Sequence, residues 1–312
     1  CRSNTYSHIL IDSVRGITKQ LSSNSDTLEA TNAQGVTAFN SDGYVLGTQD
    51  EFANNGNTFV GWSWKAGTSV SGTTTGSGTG KAYSGSVNTD SGFSIIKYIG
   101  NGAAGHTIPH HLGAVPKMMI IKRIDAVGGS AGLDAWMIYH QALGNTNRLI
   151  FTDAATDAEV GYFNNTTPTS SVFTLGVNNA GNNTDYGYIA YSFAEKQGYS
   201  KFGSYTGNDN ANGPFINLGF KPARVMVKKY SATNHWIIWD NKRGTRGGNI
   251  IDKKLYANLN NAENGNDDVS FLSNGFKLHT NTGDWNEAES YLYMAFAENP
   301  FVTSTGIPAT AG

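Results

Sequence analysis

The chain repeats itself, and that self-similarity constrains its fold more than any other feature. Gly43-Tyr-Val-Leu-Gly47 followed by Phe59-Val-Gly-Trp-Ser-Trp64 matches Ser171-Val-Phe-Thr-Leu-Gly176 followed by Tyr188-Ile-Ala-Tyr-Ser-Phe-Ala-Glu195. Both match Asn274-Gly-Phe-Lys-Leu278 followed by Tyr291-Leu-Tyr-Met-Ala-Phe-Ala-Glu298. Upstream halves repeat too: Gly92-Phe-Ser-Ile-Ile-Lys-Tyr98 pairs with Gly198-Tyr-Ser-Lys-Phe202, and Trp136-Met-Ile-Tyr139 with Trp236-Ile-Ile-Trp239. Leu112-Gly-Ala-Val-Pro-Lys-Met-Met-Ile-Ile-Lys122 pairs with Leu218-Gly-Phe-Lys-Pro-Ala-Arg-Val-Met-Val-Lys228. The unit is about 105 residues long.

Within a unit, short alternating or continuous apolar runs are separated by turn clusters such as Asn101-Gly102, Asn178-Asn-Ala-Gly-Asn182 and Gly207-Asn-Asp-Asn210. Long helical patterns are absent. The 38 glycines supply turns, and the 12% aromatic content supplies half-buried strand faces. The expected fold class is all-β: tandem antiparallel β-sandwich repeats, jelly-roll or lectin-like.

The expected organisation is an incomplete first repeat over residues 1–67, a Gly/Ser/Thr linker over 68–91, a second repeat over 92–197, a third over 198–301 and an extended tail over 302–312. The linker is assigned because so few apolar residues cannot bury a core of their own. The first repeat reads as a second half only, since Asp12-Ser-Val-Arg-Gly16 matches Asp240-Asn-Lys-Arg-Gly244 deep inside the third. A half-unit exposes strand faces that its first half should cover. The expectation is therefore a C-terminal portion of a longer polypeptide, or missing strands supplied by another chain.

Composition excludes several classes of function. Net charge is −2 with 15% charged residues, and basic residues cluster no further than pairs such as Lys228-Lys229. Nucleic-acid binding is thus disfavoured, because phosphate neutralisation needs a concentrated basic face. No apolar stretch approaches the roughly 20 residues of a membrane span, so no membrane insertion is expected. The single cysteine, Cys1, allows neither an internal disulfide nor a cysteine zinc site.

Catalytic and metal motifs fail on inspection. Gly61-Trp-Ser63-Trp-Lys65 and Gly198-Tyr-Ser200-Lys-Phe202 lack the last glycine of a nucleophile elbow, and Gly76-Ser-Gly-Thr-Gly-Lys81 lacks the spacing of a phosphate loop. His106 and His110 would stand some 13 Å apart on a strand, too far to share an ion. They read as structural histidines, matched in the third unit by Asn212 and Ile216. Carboxylate pairs such as Asp267-Asp268, Glu287 with Glu289, or Asp153 with Asp157 lie in polar, turn-like segments. No catalytic residue, no metal site and no cofactor is assigned. Calcium is the one ion weighed, for the loops Asn178–Asp185, Asn208–Asn212 and Asn264–Asp268, none of which keeps the order of a dedicated calcium loop.

Trp62, Trp64, Trp136, Trp236 and Trp239 occupy repeated strand positions and are expected in cores. Trp285, in the polar loop 282–287, is expected to be an exposed contact residue. With it, Asn182, Asp185, Asn208, Asp209, Asn210, Asp267 and Asp268 are the candidate loop contacts. The Asp-x-x-Arg-Gly turns are expected to hold a local ion pair and a left-handed glycine.

The strings Gly92-Phe-Ser-Ile-Ile, His111-Leu-Gly-Ala-Val-Pro-Lys-Met-Met-Ile-Ile-Lys122, Asn164-Asn-Thr-Thr-Pro-Thr-Ser-Ser-Val-Phe-Thr-Leu-Gly176, Tyr199-Ser-Lys-Phe-Gly-Ser-Tyr-Thr-Gly-Asn208 and Asn274-Gly-Phe-Lys-Leu278 carry a further signal. Across nearly the whole chain they resemble a tandem-repeat β domain of virion structural and tail-fibre proteins from marine tailed phages, of cyanophage and SPRY/lectin-like type. The resemblance implies a non-enzymatic structural protein on the surface of a virion, acting as a tail-fibre or appendage adhesin for host attachment. Its implied partners are other virion proteins and a host-surface glycan or protein, and its implied state is a homo-oligomer, a trimer by analogy with fibres. The alternatives are a capsid decoration protein and a glycan-degrading tail protein.

Overall fold

The computed structural model describes residues 1–125, 135–152, 154–158, 160–244, 249–281 and 283–299. They fall into two compact units, the described residues within 1–151 and 157–194, and those within 152–156 and 195–299. Both are almost wholly antiparallel β structure. The tail 302–312 lies outside the described residues.

In the first unit the chain runs through β1 (Ile9–Leu10), β2 (Lys19–Ser22), β3 (Ala30–Thr31), β4 (Val36–Phe39), β5 (Tyr44–Leu46), α1 (Asp50–Ala53), β6 (Thr68–Thr73), β7 (Thr75–Gly76), β8 (Ala82–Asn88) and β9 (Phe93–Ile99). It continues through β10 (His106–Pro109), β11 (Met118–Arg123), β12 (Met137–His140), β13 (Asn147–Arg148), β14 (Asp157–Ala158), α2 (Val160–Phe163), β15 (Val172–Leu175), α3 (Asn179–Asn182) and β16 (Gly187–Phe193). A six-stranded sheet, ordered β12-β11-β16-β9-β8-β6, shares one core with the three-stranded sheet β15-β10-β7. Ile96, Tyr98, Met119, Ile121 and Tyr188 from the first meet Ile108, Phe173 and Leu175 from the second.

Continuous apolar runs such as Met118-Met-Ile-Ile121 arise because the large sheet is covered on both faces. Met119 and Ile121 point into the core, and the alternate face lies under the N-terminal residues. There Trp136 Nε1 donates to the carbonyls of Ser22 and Ser25, both at 3.1 Å, and Lys122 Nζ donates to that of Asp26 at 2.9 Å. The first residues, expected as a separate incomplete repeat, thus belong to the same unit as residues 92–194.

Residues 68–91 are not a linker. β6 and β8 pair in unbroken register from Thr68↔Val87 to Thr73↔Ala82, and β8 pairs with β9. β6 is an edge strand with five of six residues exposed, so backbone hydrogen bonds rather than buried side chains hold it. Only Val70, Tyr83 and Val87 from this stretch reach the core, too few to give a composition-based strand signal.

The second unit contains β17 (Ser200–Thr206), β18 (Phe215–Asn217), β19 (Pro222–Lys229), β20 (Trp236–Asp240), β21 (Ile250–Tyr256), β22 (Asn264–Leu272), β23 (Gly275–Leu278) and β24 (Ser290–Ala297). One sheet ordered β17-β24-β19-β20-β21-β22-β23-β18 curls into a nearly closed barrel-like sandwich. Val225, Val227, Trp239, Phe271, Phe276, Leu278, Trp285 and Tyr293 fill it. Its run β20-β19-β24-β17 has the order of β12-β11-β16-β9 in the first unit.

The two Asp-x-x-Arg-Gly turns match atom for atom. Arg15 Nε meets Asp12 Oδ2 at 2.6 Å and Arg243 Nε meets Asp240 Oδ2 at 2.5 Å. Arg15 Nη1 then reaches Glu29 at 3.3 Å and Arg243 Nη1 reaches Glu263 at 3.5 Å. The second nitrogens donate to the carbonyls of Leu10 and Ile238. Gly16 and Gly244 follow at φ +110° and +50°, a region costly for side chains. Asp12 Oδ2 also accepts from the hydroxyl of Tyr191 at 2.7 Å, tying this turn to the large sheet.

Candidate functional site

In each unit one buried asparagine organises a pair of neighbouring loops at one end of the sheet. In the first unit it is Asn182, the last residue of α3, whose entry is capped by Asn178 accepting from the Ala180 amide. Asn182 Nδ2 donates to the carbonyls of Ala103 and Gly176 at 2.9 and 2.8 Å, and Oδ1 accepts from the Asn101 amide at 3.0 Å. Its fourth partner is His106 Nδ1 at 2.9 Å.

The bonding fixes the tautomer of His106. Asn182 Nδ2 is committed as donor, so Oδ1 accepts and His106 Nδ1 must carry hydrogen. Nε2 then accepts from the Thr74 hydroxyl at 2.6 Å, while that oxygen accepts from the Lys81 amide at 2.8 Å. Burial drives the His106 pKa below the ordinary histidine value, favouring this neutral ring. His110 is likewise neutral: its Nδ1 accepts from the Leu112 amide and its Nε2 donates to the Thr169 carbonyl. Burial lowers its pKa to about 4.

The second unit repeats the frame with Asn286. Its Nδ2 donates to the carbonyls of Asn210 and Thr280, both at 2.8 Å, and its Oδ1 accepts from the Asn208 amide at 3.1 Å. A stacked tyrosine pair supports each frame: Tyr98 on Tyr188 with centroids 5.3 Å apart, and Tyr205 on Tyr291 at 4.9 Å. Tyr98 donates to the carbonyl of Gly181 and Tyr205 to that of Trp285, both at 2.8 Å. The hydroxyls of Tyr188 and Tyr291 accept from the amides of Asn183 and Glu287. Burial raises the pKa of all four phenols, so they hold these bonds as neutral groups.

These equivalences correct the expected role of Trp285. It is fully buried, against Trp239 at 5.4 Å, with its Nε1 donating to the Thr280 hydroxyl. Its counterpart is Gly181, where a Cβ would stand 2.6 Å from Cε of Met137. A tryptophan packed in one core with Ile237 and Trp239 therefore stands where a glycine lies against Met137 in the other. Asn182, expected as a loop contact, is also buried and acts as the internal brace.

Asp185, Asn208, Asp209 and Asn210 are exposed at the loop tips. Asp185 and Asp209 adopt positive φ, +65° and +49°, and Asp185 accepts from Lys81 Nζ at 2.5 Å. Asn208 and Asn210 fold the second tip on itself: their Oδ1 atoms accept from the Asn210 and Asn212 amides at 3.2 and 2.8 Å. Asp267 and Asp268 fall in β22, and their side chains, with that of Asp157 and all of Asp153, lie outside the described residues. Glu287 pairs with Lys229 at 2.7 Å, and Glu289 accepts from Ser231 at 2.6 Å. Among the described residues, no three His, Cys, Asp or Glu side chains gather around a common point. An open groove of about 620 Å³ in the first unit is lined by small side chains including Ser13, Ser69, Ser84 and Ser86.

Sequence reasoning missed Asn286 and the four tyrosines. The available signal was an asparagine shortly ahead of the tyrosine at the start of the last strand, present in both units. Strand register also shifts the histidine match: Ile108 lies opposite Phe173 as Ile216 lies opposite Phe276, so Ile216 corresponds to Ile108 and not to His110. The comparison anchored on Leu112 and Leu218 is two residues out because the intervening turns differ in length.

The family described as Domain of unknown function (DUF7483) matches residues 1–300, and the chain belongs to it. No curated protein and no solved structure matches the chain.

Proposed function

We propose that this member of the family is a virion structural protein, a tail-fibre or appendage adhesin whose loop tips contact a glycan or protein on the host cell surface. One observation carries the reading: in both units a buried asparagine with four or three hydrogen bonds holds exposed, polar loop tips in a set shape. Tips fixed in advance lose little conformational entropy on binding, so small polar contacts yield useful affinity. Asn, Asp and Thr side chains at Asn183, Thr184, Asp185 and Asn208–Asn212 suit hydroxyl-rich ligands, offering donors and acceptors together. The resemblance to phage appendage repeats supports a place on the virion surface. Two such platforms in one chain, multiplied by oligomerisation, suit a repetitive surface bound by avidity.

The test has two parts. Gold-labelled antibody against the chain, viewed on intact particles by electron microscopy, should mark a tail or fibre. The purified chain should then be retained on a glycan array of envelope polysaccharides, with Asp209→Ala and Asn210→Ala reducing retention several-fold. Label confined to a capsid lattice, or retention unchanged by tip variants, refutes the adhesin reading.

A further inference from the structure

We propose that Asn55 is a self-modifying site, where the chain converts its own side-chain amide to aspartate and isoaspartate without an enzyme. An asparagine followed by glycine is chemically poised for this, because no side chain hinders the glycine amide. The glycine nitrogen loses its proton to a base, attacks the asparagine Cγ and closes a succinimide ring, while the side-chain nitrogen leaves as ammonia. Water then opens the ring at either carbonyl, so that amide plus water becomes carboxylate plus ammonium. The attack needs a glycine nitrogen that no acceptor holds and a side chain able to turn back on its own backbone.

Five Asn-Gly pairs occur in the chain, at Asn55, Asn101, Asn212, Asn264 and Asn274, and the fold treats them differently. The Asn101 side chain accepts from the Ala103 amide at 3.0 Å and donates to the carbonyls of Ser77 and Thr79 at 2.9 and 3.1 Å. The Gly102 amide is held by the Asn182 carbonyl at 2.9 Å. Asn212 is fixed on both sides of its Cα, its amide by Asn210 Oδ1 and its carbonyl by Asn208 Nδ2, and Gly213 is buried. Asn264 and Gly265 lie in the β21–β22 ladder. The Asn274 carbonyl accepts from the amides of Leu218 and Gly219, and Gly275 is buried in β23 between Asn217 and Leu272.

Asn55 has both freedoms. It and Gly56 are exposed in the turn that follows α1, closed by the Asn57 amide on the Asn54 carbonyl at 3.2 Å. Gly56 stands at φ +84° in open space. Among the described residues, neither the Asn55 side chain nor the Gly56 amide is engaged in a hydrogen bond. The turn is held by its flanks instead: Asn54 Nδ2 donates to Asp50 at 3.1 Å and Asn57 Nδ2 to Asn54 Oδ1 at 2.9 Å. Isoaspartate lengthens this turn by one backbone carbon and adds a charge next to Asn54. The change falls on a clamp, since Asn57 Oδ1 accepts from Ser3 Oγ at 3.3 Å and the Thr58 carbonyl from the Arg2 amide at 2.7 Å.

The full chain, folded and in parallel dissolved in urea, would be incubated at pH 8 and mapped by mass spectrometry with aspartate and isoaspartate peptides separated. In the folded chain Asn55 should convert first, at least about tenfold faster than Asn101, whose hydrogen bonds must open beforehand. Urea should bring the five rates together. Gly56→Ala, in an exposed turn, should slow conversion at Asn55 several-fold while circular dichroism stays unchanged. The proposal is overturned if Asn101 or Asn212 converts as fast as Asn55 in the folded chain, or if Asn55 stays intact while the urea-treated chain converts. Aspartate without isoaspartate, or an unchanged rate in Gly56→Ala, would likewise exclude the succinimide route.

Discussion

The two asparagine frames differ in what surrounds them. In the first unit Asn182 bonds a neutral histidine and sits beside Gly181, while Met137 fills the core beneath. In the second, Asn286 bonds no histidine ring among the described residues, and Trp285 packs against Trp239 in that core. The same asparagine frame is therefore backed in one case by a buried histidine and in the other by a buried tryptophan. The difference predicts that the first frame is sensitive to acid and the second to loss of volume.

The largest expected effect is in the second unit. Trp285→Gly should cost about 4 kcal/mol, the usual range for emptying a buried aromatic site. Denaturant titration followed by unit-resolved hydrogen exchange would place the loss in β19, β20 and β24; a cost below about 1 kcal/mol would mean that Trp285 does not fill its core.

Acid should come next, acting on the first unit. The folded pKa of His110 lies near 4, below its ordinary value of 6.5. The unfolded chain therefore takes up the proton first, and stability falls as pH drops from 6.5 towards 4. The loss is on the order of 3 kcal/mol if the ring stays buried. His106 shifts in the same direction and adds to it. Leu218 bonds the Asn274 carbonyl through its amide as His110 bonds that of Ser171, so the second unit has no histidine at this place. Denaturation midpoints at pH 7, 5.5 and 4.5, with His110→Leu as the control, should show a slope that the variant reduces.

Truncating the asparagines should have intermediate effects. Asn182→Ala should cost about 2 kcal/mol by leaving the Asn101 amide, two carbonyls and His106 without their partner. Asn286→Ala should cost less, having no histidine to strand. Thermal melts of both variants would decide the order. The smallest effects belong to the tips: Asp209→Gly should gain about 0.5 kcal/mol by relieving positive φ. Asp185→Gly should gain nothing measurable, because relief is offset by loss of the Lys81 pair.

Much of this was legible in the sequence, for definable reasons. Apolar runs located β11, β16, β19 and β24, because strands buried on both faces leave little choice of side chain. The ion pairs of Arg15 and Arg243 followed from a motif whose partners are only three residues apart. What escaped depended on distant partners. β6 exists because β8 offers it a ladder, and its exposed Ser and Thr side chains carry no trace of that. Trp285 read as exposed because its polar neighbours dominate the loop, yet its side chain packs on Trp239 in the second core. Asn182 read as a turn residue because its bonding partners at Asn101, Ala103 and His106 are far away in the chain.

The strand order has a consequence for how the chain acquires its structure. β9 pairs with β16 and β17 with β24, strands roughly 90 residues apart that open and close their segments. Such pairing must overcome a large loop-closure entropy before any contact rewards it, which places folding among slow, non-local β topologies. During synthesis the early strand emerges long before its neighbour, leaving an apolar edge waiting on the nascent chain. Each sheet is sealed by its last strand, so a polypeptide interrupted ahead of β24 would leave β17 and β19 without the strand that joins them.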